Sequence, residues 1–153
     1  MQERILVPLD GSRVGEAALQ MLRNVIKLFS KEVQVEVTLL QVITSLSHYV
    51  VAGEASVQVL YTNEELNQIK KAALDYLQKA GEFLKDLGVT LNYKVVTGNA
   101  ADEILKTADE INATLIAMST HGRSGISRWA LGSVTDRVLR GSTRPILVVR
   151  ASK

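Results

Sequence analysis

Cysteine is absent from the 153 residues, which excludes disulfide staples, a thiolate zinc site and thiol catalysis. A membrane-spanning run is missing too. The longest uncharged stretch, residues 37–53, is broken by Gln41, Ser45, Ser47 and His48 and does not read as a span. At the start of the chain Glu3 and Arg4 interrupt the sequence before any apolar run develops, so no signal peptide is read there and a cytoplasmic location is expected. Internal repeats and low-complexity linkers are also lacking. What is present is an ordinary globular composition: the 46% hydrophobic content is too high for a disordered chain. The length suits one domain spanning 1–153, because two cores would leave each half marginal in buried area.

The net charge of +2 conceals an asymmetry. Residues 1–118 carry 11 basic and 15 acidic groups, a net −4. Residues 119–153 carry seven basic groups against Asp136 alone, a net +6. Such a split favours an anionic ligand or partner near the C-terminal third, or else a solvated cationic helix face. Nucleic acid fits poorly, since the arginines are spread over loop, helix and strand with no interleaved aromatic beyond Trp129.

Five short apolar runs predict strands: Ile5–Leu9, Val33–Val42, Leu91–Val96, Leu115–Met118 and Ile146–Val149. The first, fourth and fifth are apolar almost throughout, as expected of strands covered on both faces of a parallel sheet. Helical stripes separate them. Ala18, Leu22, Val25 and Phe29 form the first, and Leu66, Ile69, Ala73, Leu77, Ala80, Leu84 and Leu87 the second. Ala101, Ile104, Leu105, Ala108 and Ile111 form a third, and Leu131, Val134 and Val138 a fourth. Thr62 and Glu65 make a capping box, Asn99 an N-cap, and Gly88 and Gly141 left-handed helix ends. Pro145 opens the last strand, where a missing amide is tolerated. The alternation of strand and helix predicts a doubly wound parallel sheet of five strands with helices on both faces. Only residues 43–61 show no clear period, and the expectation there is a lid, a partner-binding excursion or a mobile loop.

In such a sheet ligands sit beyond the carboxyl ends of the strands. The stretch after the fourth strand, from Met118 to Val134, is rich in glycine and hydroxyls and contains Arg123 and Arg128. Glycine lets backbone amides approach a phosphate, a helix N-terminus adds partial positive charge, and arginine offers forked donors. A phosphate cradle follows, although a simple turn with an N-cap would read the same way. No glycine stands before a Lys-Ser/Thr pair as a P-loop requires, and Gly122, Gly125 and Gly132 do not fit Gly-x-Gly-x-x-Gly.

Three segments carry a resemblance: Ile5-Leu6-Val7-Pro8-Leu9-Asp10-Gly11-Ser12, His121-Gly122-Arg123 with Leu131-Gly132-Ser133-Val134, and Arg144-Pro145-Ile146-Leu147-Val148-Val149. In order and spacing the chain resembles the universal stress protein family along its whole length, and within it the nucleotide-binding branch. That resemblance implies an adenine-nucleotide alpha hydrolase-like fold with the flavodoxin-like strand order 3-2-1-4-5. It implies ATP, AMP or ADP as ligand, with or without Mg2+, and a homodimer through the C-terminal strand Ile146–Val149. The family motif Gly-x2-Gly-x9-Gly-Ser/Thr maps its second glycine onto Gly122 and its end onto Gly132 and Ser133. Its first position here is Ser119, where a Cβ and a hydroxyl replace bare backbone, either crowding the phosphates or donating to phosphate or ribose. By the same resemblance Asp10 faces the ribose or adenine side, Pro8 and Val42 border the base, and Gly122, Gly132, Ser133 and Val134 hold sugar and phosphates. Leu9, Met118, His121, Arg123 and Thr135 complete the implied site.

Plainer roles stand beside these. Asp10 suits an Asx turn or a helix cap. His121 has no sequence neighbour with which to form an acid–base dyad, and Trp129 suits a packing anchor. The implied activity is that of a nucleotide-dependent stress sensor or regulator. Two alternatives remain: a dimeric stress protein without nucleotide, acting through partner contacts, and a slow ATPase or autokinase. The latter needs a metal clamp and a positioned nucleophile, and Asp10 is the one carboxylate that the sequence places near the cleft.

Overall fold

Each of the five apolar runs becomes a strand in the computed structural model, which describes residues 1–121 and 131–151. In chain order they are β1 (Gln2–Pro8), β2 (Gln34–Ile43), β5 (Thr90–Thr97), β6 (Leu115–His121) and β7 (Ile146–Ala151), with β3 (Ser47–Ala52) and β4 (Ala55–Leu60) between β2 and β5. The main sheet runs β5-β2-β1-β6-β7, every pairing parallel. Numbered by main-sheet strands, this is the order 3-2-1-4-5.

Alternation along the central strands divides the interior into two cores. Ile5, Val7 and Leu39 face helix α1 (Ala17–Ile26) and helix α2 (Asn63–Gly81). Leu6, Leu40 and Ile116 face α3 (Ala100–Glu110) and α4 (Ser133–Gly141). A strand covered on both sides has no polar position to alternate with, which is why these runs read as continuously apolar. Among the described residues no helix is long and apolar enough to cross a membrane.

The helix punctuation is realised at the capping box and at Asn99 and altered elsewhere. The Thr62 hydroxyl accepts from the Glu65 amide at 3.2 Å, and the Glu65 carboxylate accepts from the Thr62 amide at 2.7 Å. Asn99 accepts from the Asp102 amide at 3.2 Å. Gly88 is left-handed at φ +70°, but it caps a 3-10 segment, Glu82–Leu87, into which α2 tightens after Gly81. Tyr93 explains the glycine at 81: its hydroxyl lies 2.7 Å from where a Cβ would stand. Gly141 is not a left-handed cap. It is the last residue of α4, Ser142 follows in extended conformation, and the missing Cβ makes room for Leu105 Cδ1 at 2.7 Å. The fourth stripe also shifts, because α4 starts only at Ser133 and buries Thr135 and Val138, leaving Val134 37% exposed.

The capping box yields a direct test. Thr62→Ala should cost about 1 kcal/mol in urea denaturation at neutral pH. Hydrogen bonds from the Thr62 amide and then its hydroxyl region hold the Glu65 carboxyl below its ordinary value. A depressed folded-state pKa stabilises above the unfolded value and loses that contribution as pH falls through the folded one. The stability gap between wild type and Glu65→Gln should therefore be full at pH 7 and close in acid.

Residues 43–61 are not a structureless loop. β3 and β4 form an antiparallel hairpin from Ser47↔Leu60 to Ala52↔Ala55, closed by Gly53, at φ +67°, and Glu54. Neither strand carries a charged residue, and Tyr49, Val51 and Leu60 stand largely exposed. At its base His48 stacks on Tyr61 with ring centroids 4.7 Å apart.

Candidate functional site

From β1 the chain turns into α1 on one face of the sheet, and from β6 into α4 on the other. Between neighbouring strands whose connections diverge, a crevice must open at the carboxyl ends. A cleft of about 660 Å³ lies there, within the range of small-molecule sites.

Of the residues implied by the resemblance, the cleft gathers Pro8, Leu9, Asp10, Val42, Met118, Ser119, Gly132, Ser133, Val134 and Thr135. His121 ends β6, where its backbone pairs with Ala151. Gly122 and Arg123 fall outside the described residues, as do Arg128 and Trp129. The cleft also draws on residues that motif matching passed over: Val14 and Gly15 before α1, Leu40 and Thr44 on and after β2, Ala100 and Ile104 of α3, and Thr120 and Leu131. The inward alternation of β2 would have indicated Leu40 beside Val42, and Ile104 belongs to a stripe already visible in the sequence. Gly15 and Thr44 carry no such signal.

The floor is apolar: Pro8, Leu40, Val42, Ile104 and Met118 offer a surface suited to a flat ring. Asp10 is the single charged residue of the lining among the described residues. Its Oδ1 accepts from the Ser12 amide at 2.9 Å and from the Ser12 hydroxyl at 2.5 Å, an Asx turn, and the Gly15 amide donates back to the Ser12 hydroxyl at 3.1 Å. The Asx role and a place in the cleft thus coexist.

The two helix N-termini bordering the cleft differ. α1 is closed. The Ala17 and Leu19 amides reach the Val14 and Glu16 carbonyls, and the Ala18 amide reaches the Ser119 hydroxyl at 2.8 Å. Glu16, at the N-cap, makes no side-chain cap of its own. Its carboxylate accepts instead from the Tyr76 hydroxyl at 3.2 Å, and burial followed by this negative neighbour pushes the Tyr76 phenol well above its ordinary range. Ser119 therefore caps α1 across the sheet, a type of contact that contributes about 1 kcal/mol. Its only hydrogen goes to the Gly15 carbonyl at 2.9 Å. This corrects the expectation that the Ser119 hydroxyl donates to phosphate or ribose, since its donor is already committed within the chain.

α4 is open. Gly132, at the N-cap, has no side chain to offer, and among the described residues its first-turn amides find no acceptor before the Asp136 amide meets the Gly132 carbonyl at 3.0 Å. Gly132 sits at φ +86° and ψ 151°, a conformation that side chains resist. The Thr120 hydroxyl donates to the Leu131 carbonyl and ties the chain to the sheet where it returns to α4. Uncapped amides at a helix N-terminus suit an anion. The cleft thus joins an apolar floor, one carboxylate and a helix N-terminus, a set suited to a ligand with a flat ring, hydroxyls and an anionic group. Among the described residues there is no group of three or more His, Asp or Glu that could hold a metal ion.

Fold and cleft together define an α/β protein with a ligand crevice at the switch point of a 3-2-1-4-5 sheet. Residues 1–150 match the family model described as the universal stress protein family. The chain belongs to that family. It is 33% identical to the universal stress protein YxiE of Bacillus subtilis over 155 residues, covering 98% of this chain and 100% of that protein. It is 31% identical to the universal stress protein MJ0577 of Methanocaldococcus jannaschii over 160 residues, covering 98% and 96%. The solved structure of MJ0577 superposes with a TM-score of 0.74 at 27% identity, covering 99% of this chain and 97% of that one. Two more distant structures share the fold. A universal stress protein in complex with cAMP has a TM-score of 0.65 at 20% identity, with 98% of both chains covered. An Arabidopsis thaliana family member with AMP bound has a TM-score of 0.62 at 14% identity, covering 98% of this chain and 92% of that one.

Proposed function

We propose that this universal stress protein binds an adenine nucleotide, ATP or AMP, in the cleft above β1 and β6, and acts in the cytoplasm as a nucleotide-dependent stress sensor or regulator. The observation that carries the reading is the pairing of an α4 N-terminus that is uncapped among the described residues with an apolar floor and, among those residues, one lining carboxylate, Asp10. These are the three chemistries a nucleotide presents: phosphate, base and ribose. The cAMP and AMP held by structural neighbours support the same ligand class. Bound nucleotide would place its phosphate against Gly132, Ser133 and Val134, with Gly122 and Arg123 completing the loop as the family motif implies. A homodimer through Ile146–Val149 accompanies this reading, supported by the place of β7 at the sheet edge, where one row of backbone groups lies outward.

Isothermal titration calorimetry with AMP and ATP tests the proposal. Saturable binding at one site per chain is expected at sub-millimolar ligand. Absence of heat from either nucleotide at millimolar concentration would overturn it. ADP release above background with ATP and magnesium would instead favour the slow ATPase.

A further inference from the structure

The nucleotide reading leaves Ser119 unexplained, because its hydroxyl, although in the cleft lining, is engaged within the chain. It receives the Ala18 amide at 2.8 Å and donates to the Gly15 carbonyl at 2.9 Å, so a strand residue grips the turn that precedes α1 from 101 positions away. The grip continues outward. The Gly15 amide holds the Ser12 hydroxyl at 3.1 Å, and the Ser12 hydroxyl and amide hold Asp10 Oδ1 at 2.5 and 2.9 Å. Asp10 Oδ1 also lies 2.8 Å from where a Cβ on residue 15 would stand, so only glycine at that position allows the carboxylate its place.

Asp10 itself is exposed. Without this support its side chain would be free to explore several rotamers, and a ligand would have to order it on binding. We propose that Ser119 is a positioning residue: through Gly15 and Ser12 it fixes the Asp10 carboxylate on the wall of the cleft, so that the sugar of a bound nucleotide meets a preformed acceptor. This rests on the nucleotide reading and deepens it, assigning ribose selectivity to a residue that does not touch the sugar. A bare helix cap would behave differently. Its loss would weaken all nucleotides alike through a looser α1, without altering preference among sugars.

The test compares calorimetric affinities for AMP with those for its 2′- and 3′-deoxy analogues, in wild type and in Asp10→Asn, Ser119→Ala, Ser119→Thr and Gly15→Ala. Wild type should favour AMP over at least one deoxy analogue by about tenfold, the discrimination expected of a charge-assisted hydrogen bond. Asp10→Asn should reduce that ratio to about twofold or less. Ser119→Ala and Gly15→Ala, which disturb the carboxylate from opposite sides, should do the same, while Ser119→Thr, which keeps the hydroxyl, should retain the preference. If Ser119→Ala and Gly15→Ala preserve the ratio that Asp10→Asn removes, the positioning role is overturned and the nucleotide reading stands. A ratio insensitive to Asp10→Asn overturns it equally. If no form binds any nucleotide, the nucleotide reading fails and the positioning role falls with it.

Discussion

Replacing Gly132 with alanine should weaken AMP at least tenfold and cost about 1–3 kcal/mol of stability, the magnitude expected when a side chain is forced into backbone conformations open mainly to glycine. Among the described residues, space is not the obstacle. A Cβ at 132 would lie 3.6 Å from Thr120 Oγ1, an ordinary contact. The obstacle is φ +86° with ψ 151°, and relaxing it must rotate the peptide planes that open α4. Those planes carry the amides proposed to face the phosphate, so affinity should fall further than stability. Calorimetry beside urea denaturation separates the two. Near-wild-type affinity in a variant that is destabilised would show that the ligand does not depend on the α4 N-terminus.

Leu6→Ala should lower stability by about 2–5 kcal/mol, as removal of a fully buried leucine does when its surroundings cannot collapse. Leu6 is 0% exposed on the central strand, with Leu40 and Ile116 among its core companions. For a chain of this length the melting temperature should fall by about 5–15 °C. Leu6 lies outside the cleft lining, so nucleotide affinity measured well below the new transition should stay within about twofold of wild type. A larger loss of affinity would mean that the cleft is set by the whole core and not by its own walls.

The architecture was legible because its signals are local and repeated. Short, β-branched apolar runs such as Ile5–Leu9 and Ile146–Val149 read as strands of a covered sheet, and the helices between them follow from their spacing. The strand order was not local; it came from the resemblance, and the sheet bears it out. The hairpin escaped because Ser47–Leu60 has neither the charge alternation of a half-buried strand nor an Asn-Gly or Asp-Gly turn. Gly53 and Glu54 close it instead. Gly141 was misread since a glycine at a helix end has two uses, a left-handed cap or a close approach, and only the position of Leu105 distinguishes them.

The site was legible to a similar depth. Asp10, Val42 and Gly132–Thr135 line the cleft, while the reason for serine at 119 was invisible. Its partners, Gly15 and Ala18, are more than a hundred residues away, and a hydrogen bond across that distance leaves no periodicity to read. The charge split directs attention to the C-terminal third of the chain, yet the lining among described residues carries one charge, and it is negative. Anion binding there is assigned to backbone amides, which a count of arginines does not register.

The most direct test of the nucleotide cleft is a crystal structure of the protein grown with AMP. The expected result is ring density over Leu40 and Val42, a ribose hydroxyl within hydrogen-bond distance of Asp10, and phosphate oxygens on the Ser133 and Val134 amides. An empty cleft at saturating AMP, or AMP bound elsewhere on the molecule, would contradict it.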